Sequence, residues 1–562
     1  MNNTSQIKRE FIHAVQITSR LNKSEDCLFV NELLHHPDGR TKRVFRTIKN
    51  YQRSFYTTKS EFRDHTQKKE FEHLAKLDIH YTNQANLARD AYQAIYNKKL
   101  FGYVSMNEVA DSPFLYGSDI TPPVLLANEY REKWPSLISP RRIAIMDYEW
   151  DVSKGTGELL AGVISCKEKV HIAVTKEFLG EYAHNAKDTI INALNIHLRE
   201  YMLSRKIVPQ ISIVDSPAKI VIALMNSSHK WNIDYLCFWN MSGDIKKMIE
   251  ALRNEDYDLA DVFSDPSVPD EYKYFNFKED QMIKKKSSGE TSKKHIADLW
   301  HTVTSPSKFQ CVCMMALFKT VRAREQQRTS YSLDSILHDY LSLGKLKFDF
   351  LPENITQLEW HINMQQYHKI EYMVYLAFDG ISCELLDEKT GDVSNTLSGI
   401  KGVSELSKLK SNPKRLCDDM YFTLLEDKKV LCSTNGNMTE DLDSLVPSIN
   451  KWIIALASEL EYKIGVNLIK EYPALSTNIT THAFDSDVGS AYPNSTIVGN
   501  VSKTTRILEL CKVPGLTTDE QRSIGINLTS VKANALSLAS MMYGMSSLDT
   551  LLDDFKKEKN IT

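Results

Sequence analysis

The sequence lacks three features that would assign it to a class at once. It has no run of 18 or more apolar residues among its 562 residues, so no membrane span is expected, and its polar N-terminus shows no signal-peptide pattern. Its nine cysteines include no CxxC pair, which argues against a zinc ribbon and favours free thiols in a reducing compartment. A formal charge of -3 excludes a histone-like binder but leaves room for a local basic groove. We therefore expect a cytoplasmic protein without membrane contact.

What the chain contains is enough material for three or four domains. The sequence pattern changes at Arg142, after which the apolar and acidic run IAIMDYEWDV predicts a strand. Strand-like and helical segments then alternate to about residue 380. This alternation predicts an α/β domain. The five prolines between Pro113 and Pro140 predict a connector before it. The basic segment Lys284 to Lys294 is either a solvated surface loop or the tip of a β-hairpin that touches nucleic-acid phosphates.

Acidic residues stand at the ends of two predicted strands. Asp147 and Glu149 are two positions apart in a strand and share one face. Burying both carboxylates is costly unless something neutralises them, and a divalent cation is the usual answer, although such pairs are also common on exposed strand ends. Asn240 and Asp244 follow the strand-like run DYLCF, where an acid at a helix start also suits the helix dipole.

A third pattern pairs a tyrosine with an acid at helical spacing. Tyr367 and Glu371 are four positions apart, 36 residues past Tyr331 of the landmark SYSLD, and that spacing places two side chains on one helical face. Tyr375 and Asp379 have the same spacing and are a competing match. An ordinary helix would also show either pair.

The fourth pattern is FDSDVGSAYPNST, from Phe484 to Thr496. A polar turn would explain any one of its residues. The combination of Asp487, Ser490, Tyr492 and Pro493 is more specific than a single acid.

In this order and at these separations, the four patterns resemble those of the family B DNA polymerases, most closely the replicative polymerases of tailed phages of the T-even kind. The resemblance covers most of residues 140–500 and, more faintly, the first 140. The exonuclease motifs fall on Asp147 and Glu149, on Asn240 and Asp244 with one residue fewer and no Phe, and on Tyr367 and Glu371 with Glu for Asp; polymerase motif A falls on Asp487 to Asn494.

The resemblance implies an α/β (α+β multidomain) architecture. The implied parts are an N-terminal domain (1–140), an RNase H-like 3′–5′ exonuclease domain (141–380), a connection back to the N-terminal domain and palm (381–475), a palm segment with motif A (476–505) and the start of the fingers or partner-binding helices (506–562).

It also implies two-metal chemistry with Mg²⁺ or Mn²⁺. The exonuclease metals would be held by Asp147, Glu149, Asp244 and Glu371, and Tyr367 would orient the attacking water. In the polymerase site Asp487 would bind metal, Val488, Ser490 and Ala491 would face the dNTP triphosphate, and Tyr492 would stack under the sugar.

The sequence departs from the family beyond motif A. It contains no Tyr-Gly-Asp-Thr-Asp-Ser hairpin, and it ends 75 residues after Asp487 (562 minus 487). We therefore expect the N-terminal subunit of a split polymerase that acts on primer-template DNA with dNTPs. A second polypeptide would supply the remaining fingers, palm and thumb, and a sliding clamp is a further candidate partner. The alternatives are a stand-alone 3′–5′ exonuclease with a vestigial palm and a non-catalytic DNA-binding replisome scaffold.

Overall fold

The computed structural model describes residues 7–434, apart from positions 67, 70, 100, 101, 103, 136, 286–290, 327, 347 and 352–354. The chain divides into two compact units, Met1–Asn435 and Gly436–Thr562, and the description below concerns the first. The predicted motif A, with Asp487, Val488, Ser490, Ala491 and Tyr492, lies outside the described residues, as do the predicted palm and fingers segments.

The described residues from 7 to 133 form two small antiparallel sheets with helices packed beside them. One sheet has the order β1-β2-β3 and the other the order β6-β4-β7. The elements are β1 (Lys8–Thr18), β2 (Asp26–His35), β3 (Thr41–Lys49), β4 (Arg53–Thr58), β5 (Phe71–His73), β6 (Leu77–Thr82), α1 (Leu87–Tyr96), α2 (Met106–Ala110), β7 (Leu115–Tyr116) and α3 (Pro122–Lys133).

The proline-rich segment predicted as a connector contains a three-turn helix, α3. Pro122 and Pro123 lie in its first turn, where the backbone N–H groups have no partner inside the helix and the fixed φ of proline suits the helix start. The prediction of a connector is therefore wrong for this part of the segment.

The central region is built on one six-stranded sheet. Its elements are β8 (Ile143–Trp150), β9 (Leu159–Cys166), β10 (Lys169–Thr175), α4 (Lys176–Leu179), α5 (Ala186–His197), α6 (Arg199–Ser204), β11 (Val208–Val214), α7 (Pro217–Lys230), β12 (Tyr235–Phe238), α8 (Met241–Asn254), α9 (Leu259–Phe263), β13 (Asn276–Lys278), β14 (Ile283–Lys285), β15 (Thr291–Lys293), β16 (Thr302–Thr304), β17 (Gln310–Cys313), α10 (Met314–Val321), α11 (Leu333–Leu341), α12 (Gln357–Tyr367) and α13 (Lys369–Thr390).

The strand order of this sheet is β11-β10-β9-β8-β12-β17, so the acid-bearing strand β8 lies inside it. β8 pairs antiparallel with β9 and parallel with β12, and β12 in turn pairs parallel with β17. Helices α5 and α13 cover one face of the sheet. Helices α7 and α8 pack against the opposite face. A mixed sheet with helices on both faces agrees with the predicted α/β class.

A close contact fixes the packing of β8 on β9. Tyr148 lies opposite Gly162 in the register of the two strands. A Cβ atom at position 162 would lie 2.6 Å from the Tyr148 ring and 2.8 Å from Leu224 of α7. Glycine is therefore required there for the tyrosine ring and Leu224 to keep their positions.

After α13 the chain returns to the N-terminal sheets through α14 (Leu397–Lys401), α15 (Asn412–Thr423) and β18 (Val430–Cys432). β18 pairs antiparallel with β5. The basic segment near Lys284 forms an antiparallel hairpin, with β14 paired to β15. In the described part of the chain, no helix has the length and apolar character needed to cross a bilayer.

Candidate metal centre

A cavity of about 240 Å³ opens between the sheet and two of its helices. Its wall includes acidic residues from β8, from the first turn of α8 and from the middle of α13, together with aromatic and basic side chains. The polar lining residues include Asp147, Glu149, Asn240, Asp244, Lys345, Gln357, His361, Tyr375 and Asp379.

Three carboxylates lie close enough together to bind one cation. Asp147 and Glu149 lie on the same side of β8, and Asp379 on α13 faces them. One carboxylate oxygen of each lies within 4.8 Å of one from each of the others. Asp244, from α8, lines the same cavity but does not belong to this group of three.

The crowding of these carboxylates makes their ionised forms unfavourable. Burial, with a contribution from the charge of Asp379, raises the pKa of Asp147 to about 7. Burial and the charge of Asp147 raise the pKa of Glu149 to about 8. Burial, and then the charges of Asp147 and Glu149, raise the pKa of Asp244 well above its usual value. The cavity therefore holds more acidic groups than its surroundings can stabilise in the ionised form.

Lys345 is the basic residue that faces this group. Its ammonium donates hydrogen bonds of 2.6 Å to a carboxylate oxygen of Asp379 and 2.6 Å to the Tyr375 hydroxyl. Burial alone would lower the pKa of Lys345, but the Asp379 carboxylate raises it above its usual value. One ammonium cannot balance four carboxylates, and Oδ1 of Asp379, on a side chain that is buried, has no hydrogen-bond partner among the described residues.

The donor set fits a hard divalent cation. Every acidic group that lines the cavity offers carboxylate oxygen, the ligand that Mg²⁺ and Mn²⁺ prefer, and no cysteine belongs to the group of three. A buried carboxylate oxygen without a partner, and pKa values raised by burial and then by neighbouring carboxylates, fit a site that binds a positive charge.

Glu149 is held from behind by a second group of side chains. The Tyr372 hydroxyl donates a 2.5 Å hydrogen bond to its carboxylate. Nδ1 of His361 lies 2.8 Å from the same hydroxyl, and the Gln365 amide donates to that hydroxyl at 3.2 Å. Burial, and then the nearby Lys345 charge, lower the pKa of His361 to about 4, so that its imidazole is neutral at pH 7.

The structure brings together three of the acids singled out in the sequence: Asp147, Glu149 and Asp244 all line the cavity. In each case the reason is local. The two β8 acids share a strand face, and Asp244 lies in the first turn of the helix that follows the neighbouring strand β12.

Tyr367 and Glu371 are placed elsewhere. The expectation that they share a helical face is wrong, because the helix is interrupted at His368. Tyr367 is the last residue of α12, and Glu371 lies in the first turn of α13. Tyr367 is 69% exposed, and neither residue lines the cavity. The competing pair, Tyr375 and Asp379, occupies two successive turns of α13 beside the β8 acids.

Four contributors were not singled out in the sequence: Lys345, His361, Gln365 and Tyr372. Lys345 lies in the run GKLK next to the landmark SYSLD, so its charge close to predicted acids was an available signal. The other three carry no local pattern, because their contact depends on how α12 folds back on α13.

Comparison with family models and with curated proteins finds no match to this chain.

Proposed function

We propose that the region from β8 to α13 is a 3′–5′ DNA exonuclease that uses Mg²⁺ or Mn²⁺. The observation that carries this proposal is the convergence of four carboxyl groups, from one strand and two helices, on one cavity whose described lining includes a single ammonium group, that of Lys345. The order of the sequence motifs supplies the substrate class, since it resembles that of proofreading polymerases.

Asp147, Glu149 and Asp379 are the residues that would hold one cation, and Asp244 is available to a second. Bound divalent cations lower the pKa of a water molecule and neutralise charge on the scissile phosphate. The role expected of Glu371 thereby passes to Asp379, and that of Tyr367 passes to Tyr375.

The remaining side chains of the cavity prepare it for an anionic substrate. Lys345 favours the ionised form of Asp379, whose pKa burial raises, and orients the Tyr375 hydroxyl by its second hydrogen bond. That hydroxyl borders the cavity and can accept or donate a hydrogen bond to a water molecule beside the phosphate. Burial of the site limits competing bulk water, which strengthens each of these interactions.

The exonuclease proposal is tested by digestion of single-stranded DNA. With a 5′ label the wild-type chain should yield a ladder of shortened products, and with a 3′ label it should release labelled mononucleotide at once. Both should require Mg²⁺ or Mn²⁺ and stop with EDTA. Asp147→Ala should lower the rate by at least about a hundredfold, as expected for loss of a metal ligand. Degradation that proceeds in EDTA, or from the 5′ end, would contradict the proposal.

A polymerase subunit remains a proposal that rests on the sequence alone, through motif A at Asp487. In this form the chain needs a second polypeptide to complete the palm, fingers and thumb. Primer extension should then appear only when both chains are mixed with primer-template DNA and dNTPs, and Asp487→Ala should abolish it; extension by this chain alone would disprove the need for a partner.

A further inference from the structure

The hydroxyl of Tyr372 lies at the meeting point of three polar side chains behind Glu149. Tyr372 is fully buried, and its ring packs within the core that α13 forms with the sheet. Burial and the Glu149 charge raise the pKa of the phenol. The phenol is therefore a suitable hydrogen-bond donor to the Glu149 carboxylate, which it contacts at 2.5 Å.

Hydrogen-bond accounting assigns a direction to each contact when Glu149 is ionised. The phenol has one hydrogen, and the 2.5 Å contact to the carboxylate uses it. The contacts with Gln365 and His361 must then be accepted by the phenol oxygen. His361 therefore carries its hydrogen on Nδ1, and its Nε2 has a free lone pair.

Gln365 fixes the other end of this arrangement. Its amide oxygen accepts hydrogen bonds from the backbone N–H groups of Val152 (3.0 Å) and Ser153 (3.1 Å), just after β8. Its amide nitrogen donates to the carbonyl oxygen of Trp150 at 2.9 Å and to Tyr372. Only 2% of Gln365 is exposed. The side chain therefore ties the end of the acid-bearing strand to the hydroxyl that holds Glu149.

We infer that Tyr372 is a positioning residue, which holds the Glu149 carboxylate in the orientation needed to bind a divalent cation and which is itself held by Gln365 and His361. The inference rests on the proposed function, because it assigns a role toward the cation of that site. Groups that hydrogen-bond a metal-binding carboxylate commonly change metal affinity by about 10- to 100-fold.

The test is titration of Mn²⁺ into the full chain, measured by calorimetry, together with the melting temperature and the exonuclease rate. Tyr372→Phe removes only the hydroxyl. We expect it to raise the Kd for Mn²⁺ by about tenfold and to lower kcat by a similar factor. KM for DNA should stay unchanged, because Tyr372 is buried behind Glu149.

The matched control is Tyr272→Phe. Tyr272 is equally buried, but its hydroxyl has no hydrogen-bond partner among the described residues, so this variant should bind Mn²⁺ as the wild type does. If Tyr372→Phe melts lower than the control, a second pair decides. His361→Asn keeps a donor near the Nδ1 position and should retain affinity, whereas His361→Ala should lose it.

The outcomes separate this inference from the function on which it rests. If the wild type binds Mn²⁺, Asp379→Asn abolishes binding, and Tyr372→Phe binds normally, the positioning role is wrong and the exonuclease proposal stands. If the wild type binds no Mn²⁺ and degrades no DNA, the proposed function fails and this inference fails with it.

Discussion

At the scale of single residues, the site is a set of acids whose ionised forms are unfavourable. Asp147 and Glu149 have pKa values raised to about 7 and about 8, first by burial and then by neighbouring carboxylates. An acid whose pKa is higher in the folded state binds more protons when folded than when unfolded. Stability contributed by that proton is present at low pH and is lost as the pH rises through the folded pKa.

This charge state predicts a pH-dependent effect of Asp147→Asn in the absence of metal. At pH 5 the wild-type carboxyl is protonated in the folded state but ionised in the unfolded state, where its pKa has the ordinary value of 3.8, so the variant should already be somewhat more stable than the wild type. At pH 8 the carboxylate is ionised among other acids in the folded state as well, so the advantage of the variant should exceed that at pH 5 by on the order of 1–3 kcal/mol, or a few degrees in melting temperature. Thermal melts in EDTA at the two pH values measure this.

Glu371→Gln is the control for that experiment, because Glu371 does not line the cavity. It should change the melting temperature by the same small amount at both pH values. An Asp147→Asn variant that melts below the wild type at pH 8 would show that the site is not strained by its charges.

The sequence predicted three of the four acids in the cavity, and it offered the fourth, Asp379, only as a competing match to Glu371. Asp147, Glu149 and Asp244 follow from strand alternation and from the position of an acid after a strand. Choosing Tyr367 and Glu371 by their distance from SYSLD assumes that one helix runs through both residues. No residue type near His368 predicts the break between α12 and α13. The choice between Glu371 and Asp379 therefore required the tertiary fold.

At the scale of elements, the position of β8 depends on how closely it packs on β9 and α7. Gly162 makes this packing possible, since a Cβ atom there would lie 2.6 Å from the ring of Tyr148, the residue between the two β8 acids. The α/β class was predictable from alternating strand-like and helical runs. The helix inside the proline-rich segment was not, because a proline is found both in the first turn of a helix and where a helix is broken, and composition does not distinguish the two.

Gly162→Ala should destabilise the protein by about 1–3 kcal/mol, because the added methyl group overpacks the contact with Tyr148 and Leu224. Displacement of β8 should also lower exonuclease activity. The melting temperature and the rate of DNA digestion measure the two effects.

The matched control is Gly399→Ala in α14. A Cβ atom at that position meets nothing within 4 Å, and alanine favours helix over glycine by about 1 kcal/mol, so this variant should be neutral or more stable. Equal stability of the two variants would contradict the close packing of β8.

At the scale of the first unit, the N-terminal sheets are joined to the central sheet by buried polar contacts. Arg43 of β3 donates two hydrogen bonds, of 2.8 and 2.7 Å, to the fully buried carboxylate of Asp234, just before β12. Arg141, just before β8, pairs with Glu10 of β1 at 2.6 Å. Asp234 lies just before β12, which flanks the acid-bearing strand, and Arg141 lies just before β8, which carries two of the acids. The N-terminal sheets therefore help to fix the site.

The central claim is that this site is a metal-dependent nuclease whose fourth acid is Asp379 and not Glu371. The most direct measurement is the rate of 3′–5′ digestion of 5′-labelled single-stranded DNA in Mg²⁺ by two variants of the full chain. We predict that Asp379→Asn loses at least about a hundredfold in rate, while Glu371→Gln stays within about twofold of the wild type. Full activity of Asp379→Asn, or loss of activity in Glu371→Gln alone, would contradict the account.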